Sequence, residues 1–155
     1  MSTNGSLDLV IRVSTERRDG AALALAQSRR QTDDAQRKLE MLSHYHHEYV
    51  ARINGAPEAG NTDPVRIANT RAFMDKLEQA IAQQKHEVEV CESHLNVCLH
   101  SLTDKERKLK SLETLHDRRA DVAGRAESRR EQKRTDEFGA RAARNGGATL
   151  DYRPA

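Results

Sequence analysis

Aromatic residues are scarce in this chain: there is no Trp, and three Tyr and two Phe are spread over 155 residues. With 36% hydrophobic residues against 32% charged, the apolar material is too little for a compact core, which excludes an ordinary globule and leaves room for a thin seam. Proline is almost absent too. Pro57 and Pro64 share one short stretch and Pro154 lies near the end, so nothing elsewhere breaks a helix. No apolar run approaches the ~20 residues that span a bilayer, and Met1 to Ser6 lacks a basic segment followed by an apolar one, so a cytosolic chain is expected. The two cysteines, Cys91 and Cys98, stand seven apart on a helical pattern, about 10 Å of rise, which is beyond disulfide reach and marks them as reduced core residues. An excess of one charge is also lacking. The 26 basic and 24 acidic residues are interspersed, so no global field favours nucleic acid or a membrane surface, and the expected partners are proteins.

What the chain does contain is helical period. Ala, Leu, Glu, Arg, Lys and Gln dominate, and these are the good helix formers. Leu7, Ile11, Ser14, Arg18, Ala21, Leu25, Ser28, Thr32, Ala35, Leu39, Leu42, His46, Tyr49 and Ile53 follow a strict alternation of three and four, which is a coiled-coil seam. Ile67, Thr70, Met74, Leu77, Ile81, Gln84, Val88, Cys91, Leu95, Cys98, Leu102, Lys105, Leu109 and Leu112 repeat the pattern, and the following slots, His116, Arg119, Ala123, Ala126, Arg130 and Lys133, lose their apolar character. Between the two seams, Asn54 to Asp63 gathers Gly, Pro and Asn and closes on Asp63 as a helix cap before Pro64.

An antiparallel hairpin closed there pairs positions whose numbers sum to about 120. Leu7 then faces the neighbourhood of Leu112, so the second stripe fades where the first helix runs out. The expectation is an all-α chain: one long antiparallel two-helix coiled coil over 1–155, with helix 1 about 7–53, a turn at 54–63, helix 2 about 64–144 and a mobile tail at 145–155. Each paired arm is ~70 Å long, and the second helix projects a further ~40 Å beyond the first. Two chains pairing in parallel would leave the turn without a reason.

No phosphate-binding Gly-rich loop, zinc-spaced Cys or His pair, or nucleophile elbow occurs, and a two-helix rod offers no water-excluding pocket. Neither an enzyme nor a cofactor is expected. His44, His46 and His47 are the nearest approach to a metal site, but His46 falls on the seam while the other two point outward. The projecting helix carries Arg118, Arg119, Arg125, Arg129, Arg130, Lys133, Arg134, Arg141 and Arg144, with six acids among them. Pairs such as Asp121 with Arg125 and Glu137 with Arg141 point to a solvated helix, or one docked on an acidic protein surface, rather than to a nucleic-acid stripe.

Three of the five aromatics, Tyr45, Tyr49 and Phe73, collect near the turn once the pairing is applied. Tyr49 is on the seam, whereas Tyr45 and Phe73 are each one step off it and so belong to a partly exposed rim. Exposed aromatics on so polar a rod suit an anchor for a partner; the plainer reading is that they cap the end of the core.

These residues also carry a resemblance. Met41-Leu42, Tyr45 and Glu48-Tyr49, then Phe73, Leu77-Glu78, Ala80-Ile81 and Gln83, then Asp136-Glu137-Phe138 and Arg141-Ala142-Ala143 stand in the order and spacing seen in the flagellar FliJ family, over roughly residues 20 to 144. The resemblance implies a cytoplasmic part of the bacterial flagellar type III protein export apparatus, peripherally associated with the cytoplasmic face of the inner membrane. It implies a stalk-like coiled coil that promotes assembly and activity of the export ATPase ring, docks on the cytosolic domain of the export gate and escorts substrate chaperones. The gate-facing surface of the family maps onto Leu42, Tyr45, Tyr49, Phe73, Leu77 and Ala80. Lys38 and Gln84 depart from it, standing where the family has glutamine and histidine. The contact with the ATPase is expected at Arg129, Arg130, Lys133, Arg134, Phe138 and Arg141. The alternatives are a stalk protein of a virulence type III secretion system, which shares less of these words, and a generic coiled-coil scaffold, which would affect no ATPase.

Overall fold

The computed structural model describes residues 2–55 and 63–146, with side chains from residue 5 onward, and among them only Asp63 is not helical. Two helices account for the rest: α1, Ser2–Gly55, and α2, Pro64–Gly146. The chain is an all-α helical hairpin. Residues 56–62 of the expected turn and 147–155 of the expected mobile tail lie outside the described residues.

Both helices are long because nothing within them competes. α1 contains no proline, and its interior glycines, Gly5 and Gly20, cost only about 1 kcal/mol each against alanine. α2 starts where its cap permits. Asp63 Oδ1 accepts the Val65 N–H at 3.1 Å, its carbonyl accepts from Arg66 and Ile67 at 3.0 and 3.2 Å, and Pro64 occupies the first helical position, where no N–H is needed. Threonine, a weak helix former, survives inside α2 by returning its hydroxyl to the preceding turn, as Thr103 to Leu99 O and Thr114 to Lys110 O.

The helices divide into two compact units, Arg12–Lys108 and the described residues of Met1–Ile11 with Leu109–Ala155. Within the first, Leu25, Ala35, Val88 and Cys98 are buried together with Ser14, Ser28 and Thr32, and Cys91 is half-buried. Both cysteines are free, consistent with their reading as core residues. Contacts across the helices are antiparallel: Ser28 with His94, Ala35 with Gln84, His46 with Glu78 and Tyr49 with Phe73. Their residue numbers total between 119 and 124, so the register lies within about one turn of the expected one. The expected seam departs at the turn end, where Ile53 and Ile67 are exposed.

The second unit buries Leu7 and Leu109 and joins Asp8 Oδ1 to His116 Nε2 at 3.3 Å. Every residue from 117 to 146 is exposed, so α2 continues past its last contact with α1 as an uncovered helix.

Candidate partner-docking site

The aromatic pair near the turn is a direct product of register. Tyr49 projects from α1 on the seam and Phe73 from α2 one step off it, and their rings meet with centroids 4.8 Å apart, inclined at 53°. Such tilted packing suits the ring quadrupoles and fixes both side chains. Tyr49 is half-buried, yet Phe73 keeps 49% of its surface open and Tyr45, one turn before Tyr49, keeps 56%. Leu42, Leu77 and Ala80 are half-buried around them. Of the six residues named from sequence, Leu42, Tyr49, Leu77 and Ala80 are thus half-buried and the rings of Tyr45 and Phe73 are exposed.

Met41, exposed and four residues before Tyr45, belongs to the same apolar surface. It was not among the site residues expected from sequence although it lies one step off the seam, as Tyr45 and Phe73 do; its i, i+4 spacing to Tyr45 was the available signal. The departure at position 84 has a structural answer. Gln84 Nε2 donates to Ala35 O at 3.0 Å across the hairpin, so this amide spends itself on α1 rather than on the rim. Lys38 is exposed.

The opposite side of this region is electrostatic. His46 Nε2 is shielded from solvent, makes no hydrogen bond and lies 3.5 Å from Glu78 Oε1, a contact that becomes an ion pair when the ring is protonated. Ser43, Ile81, Ala82 and Lys85 complete a shallow cleft there. His44 pairs with Glu48 at 3.3 Å on the outer surface, so the three neighbouring histidines diverge. Among the described residues no group of three metal-ligating side chains forms.

The second set named from sequence lies on the uncovered part of α2. Arg129, Arg130, Lys133, Arg134 and Arg141 are exposed, Arg130 reaching Glu127 at 3.8 Å, and Phe138 stands with 77% of its surface open. At such exposure the ion pair contributes at most a few tenths of a kcal/mol, which leaves these groups available to other surfaces. No described helix is long and apolar enough to cross a membrane.

Comparison with known proteins gives a consistent result. A family model described as "Flagellar FliJ protein" matches residues 3–148. Among curated relatives, the Flagellar FliJ protein of Escherichia coli (strain K12) is 32% identical over 143 residues, covering 92% of this chain and 97% of the relative. The Flagellar FliJ protein of Salmonella typhi is 33% identical over 146 residues with the same coverage of each chain.

Proposed function

This chain belongs to the flagellar FliJ family, a non-enzymatic component of the flagellar export apparatus, and from that premise we propose that it is an adaptor of the export machine with two contact surfaces. One surface is the aromatic rim, where Leu42, Tyr45, Tyr49, Phe73, Leu77 and Ala80 dock on the cytosolic domain of the export gate. The other is the uncovered helix, where Arg129, Arg130, Lys133, Arg134, Phe138 and Arg141 meet the export ATPase and promote assembly and turnover of its ring. Escort of substrate chaperones, and a position at the cytoplasmic face of the inner membrane, follow from the same resemblance.

The observation that carries this reading is the run of exposed helix from 117 to 146. A helix exposed along this length owes its stability largely to propensity and local ion pairs, and it presents its side chains to a surrounding protein. Its alternating Arg and Glu side chains suit several equivalent subunit faces, because arginine forms paired hydrogen bonds with carboxylates wherever they are presented. Phe138 supplies an apolar anchor.

The gate half is tested by Tyr45→Ala with Phe73→Ala. Neither ring is buried, so helicity by circular dichroism is expected to stay near the parent's while capture by the immobilised cytosolic domain of the export gate falls at least tenfold. Undiminished capture would remove the rim from the gate contact, and simultaneous loss of helix would make the rings part of the core instead.

A further inference from the structure

The aromatic rim sits in a patch of one charge sign. Tyr45 and Phe73 each stand one residue before a seam slot, His46 and Met74, so in an antiparallel pair they lie on the same flank of the hairpin, which the contact of Phe73 with Tyr49 ties together. On a helix, the positions three, four and seven residues to either side of such a ring share its face. Among them Lys38, Arg52, Arg66 and Lys76 are basic, and Glu48 is the one acid. All four bases are exposed, and none takes part in an ion pair with another described residue, whereas Glu48 already lies 3.3 Å from His44.

The bases have an order along the helices. Arg52 and Arg66 lie turnward of the rings and Lys38 and Lys76 on the far side, each within two turns, about 10 Å, of Tyr45 or Phe73. The other flank runs the opposite way: within the same two turns of Ser43 and Glu78, the acids Glu40, Asp75 and Glu78 outnumber Arg71 and Lys85. The whole chain carries only +2, so four bases against one acid is a property of this face and not of the composition. Exposed like charges at this spacing repel one another modestly in water and gain when carboxylates are brought among them.

We propose that this basic collar gives the aromatic rim its choice of partner: the surface it docks is a protein segment that sets one apolar or aromatic side chain between the rings of Tyr45 and Phe73 and carries carboxylates about 10 Å to each side of it along the hairpin. The rings supply the anchor, and the bases supply the charged rim that steers the encounter and fixes its register. A basic stretch of about 20 Å, from Lys38 to Arg52, with acids in excess on the other flank suits a protein segment better than a phosphate chain, which gains from a basic track that continues along it. The proposal rests on the rim being the gate contact, and it assigns the acidic, apolar-centred segment to the cytosolic domain of the gate.

The test uses the full chain and the immobilised cytosolic domain of the export gate, with capture read at about 50 and about 500 mM NaCl. Capture of the unaltered chain is expected to fall at least tenfold with the added salt. Lys38→Gln with Arg52→Gln, Arg66→Gln and Lys76→Gln is expected to weaken low-salt capture at least tenfold and to remove most of the salt dependence. Lys38→Arg with Arg52→Lys, Arg66→Lys and Lys76→Arg should keep both, and Arg71→Gln with Lys85→Gln on the other flank should change neither. These side chains are exposed and glutamine is a good helix former, so helicity should persist; should the fourfold variant lose it, the separate pairs Lys38 with Lys76 and Arg52 with Arg66, and the salt dependence of the unaltered chain, decide the same question. Capture that is lost in Tyr45→Ala with Phe73→Ala yet untouched by salt and by the glutamine changes overturns the collar and leaves the gate contact standing. No capture of the unaltered chain, or capture indifferent to the aromatic variant, overturns both. An equal loss from Arg71→Gln with Lys85→Gln would reduce the effect to net charge and overturn the proposal, as would displacement of the gate domain by single-stranded DNA or phosphatidylserine vesicles, which would assign the bases to phosphate.

Discussion

Ser28 is buried to 2% exposure in a seam where leucine would ordinarily stand, and its hydroxyl lies 3.1 Å from His94 Nδ1. Thr32, one turn on, donates to Ser28 O at 2.9 Å, and Gln84 reaches Ala35 O. Buried polar groups of this kind are tolerated when satisfied and costly when stranded, so they define one register more sharply than apolar neighbours would. Heptad counting placed these residues on the seam but not their partners, because period identifies a slot and says nothing of which hydrogen bond fills it. The seam also bears a direct prediction. Leu39, half-buried in it, faces the region of Ile81, and Leu39→Asp is expected to cost about 3 kcal/mol by leaving a carboxylate without a partner. Thermal melting by circular dichroism should show a clear fall; a variant melting with the parent would put Leu39 outside the core.

At the scale of the helices, the start of α2 was legible because Asp63-Pro64 is a chemical signal rather than a periodic one: a side-chain acceptor followed by a residue that needs no donor. Asp63→Ala removes the acceptor for the Val65 N–H and is expected to destabilise the chain by about 1 kcal/mol, read as a lower melting temperature. Gly20 predicts the opposite sign. With open space around an added Cβ, Gly20→Ala should raise the melting temperature by an amount corresponding to about 0.5–1 kcal/mol. A neutral or destabilising result would mean that Gly20 serves close approach rather than a merely exposed helix. The fading of the second stripe after Leu112 was readable as well, and among the described residues a cross-helix contact reaches as far as His116 and Asp8.

For the molecule as a whole, family membership and the hairpin were accessible from sequence by independent routes. Apolar spacing led to two antiparallel helices, and short words such as Tyr45, Glu48-Tyr49 and Asp136-Glu137-Phe138 led to the flagellar family that the whole-chain comparisons establish. The role of each contact surface is proposed, and the uncovered helix is at its centre. The most direct measurement is the ATP hydrolysis rate of the matching flagellar export ATPase as increasing amounts of the full chain, or of a chain ended at Asp117, are added, with rings counted by electron microscopy. The full chain should raise both turnover and ring number. The shortened chain, its circular dichroism spectrum still helical and its binding to the gate domain unchanged, should raise neither, whereas equal stimulation by the two would contradict the account and move the ATPase contact off the helix from 117 to 146.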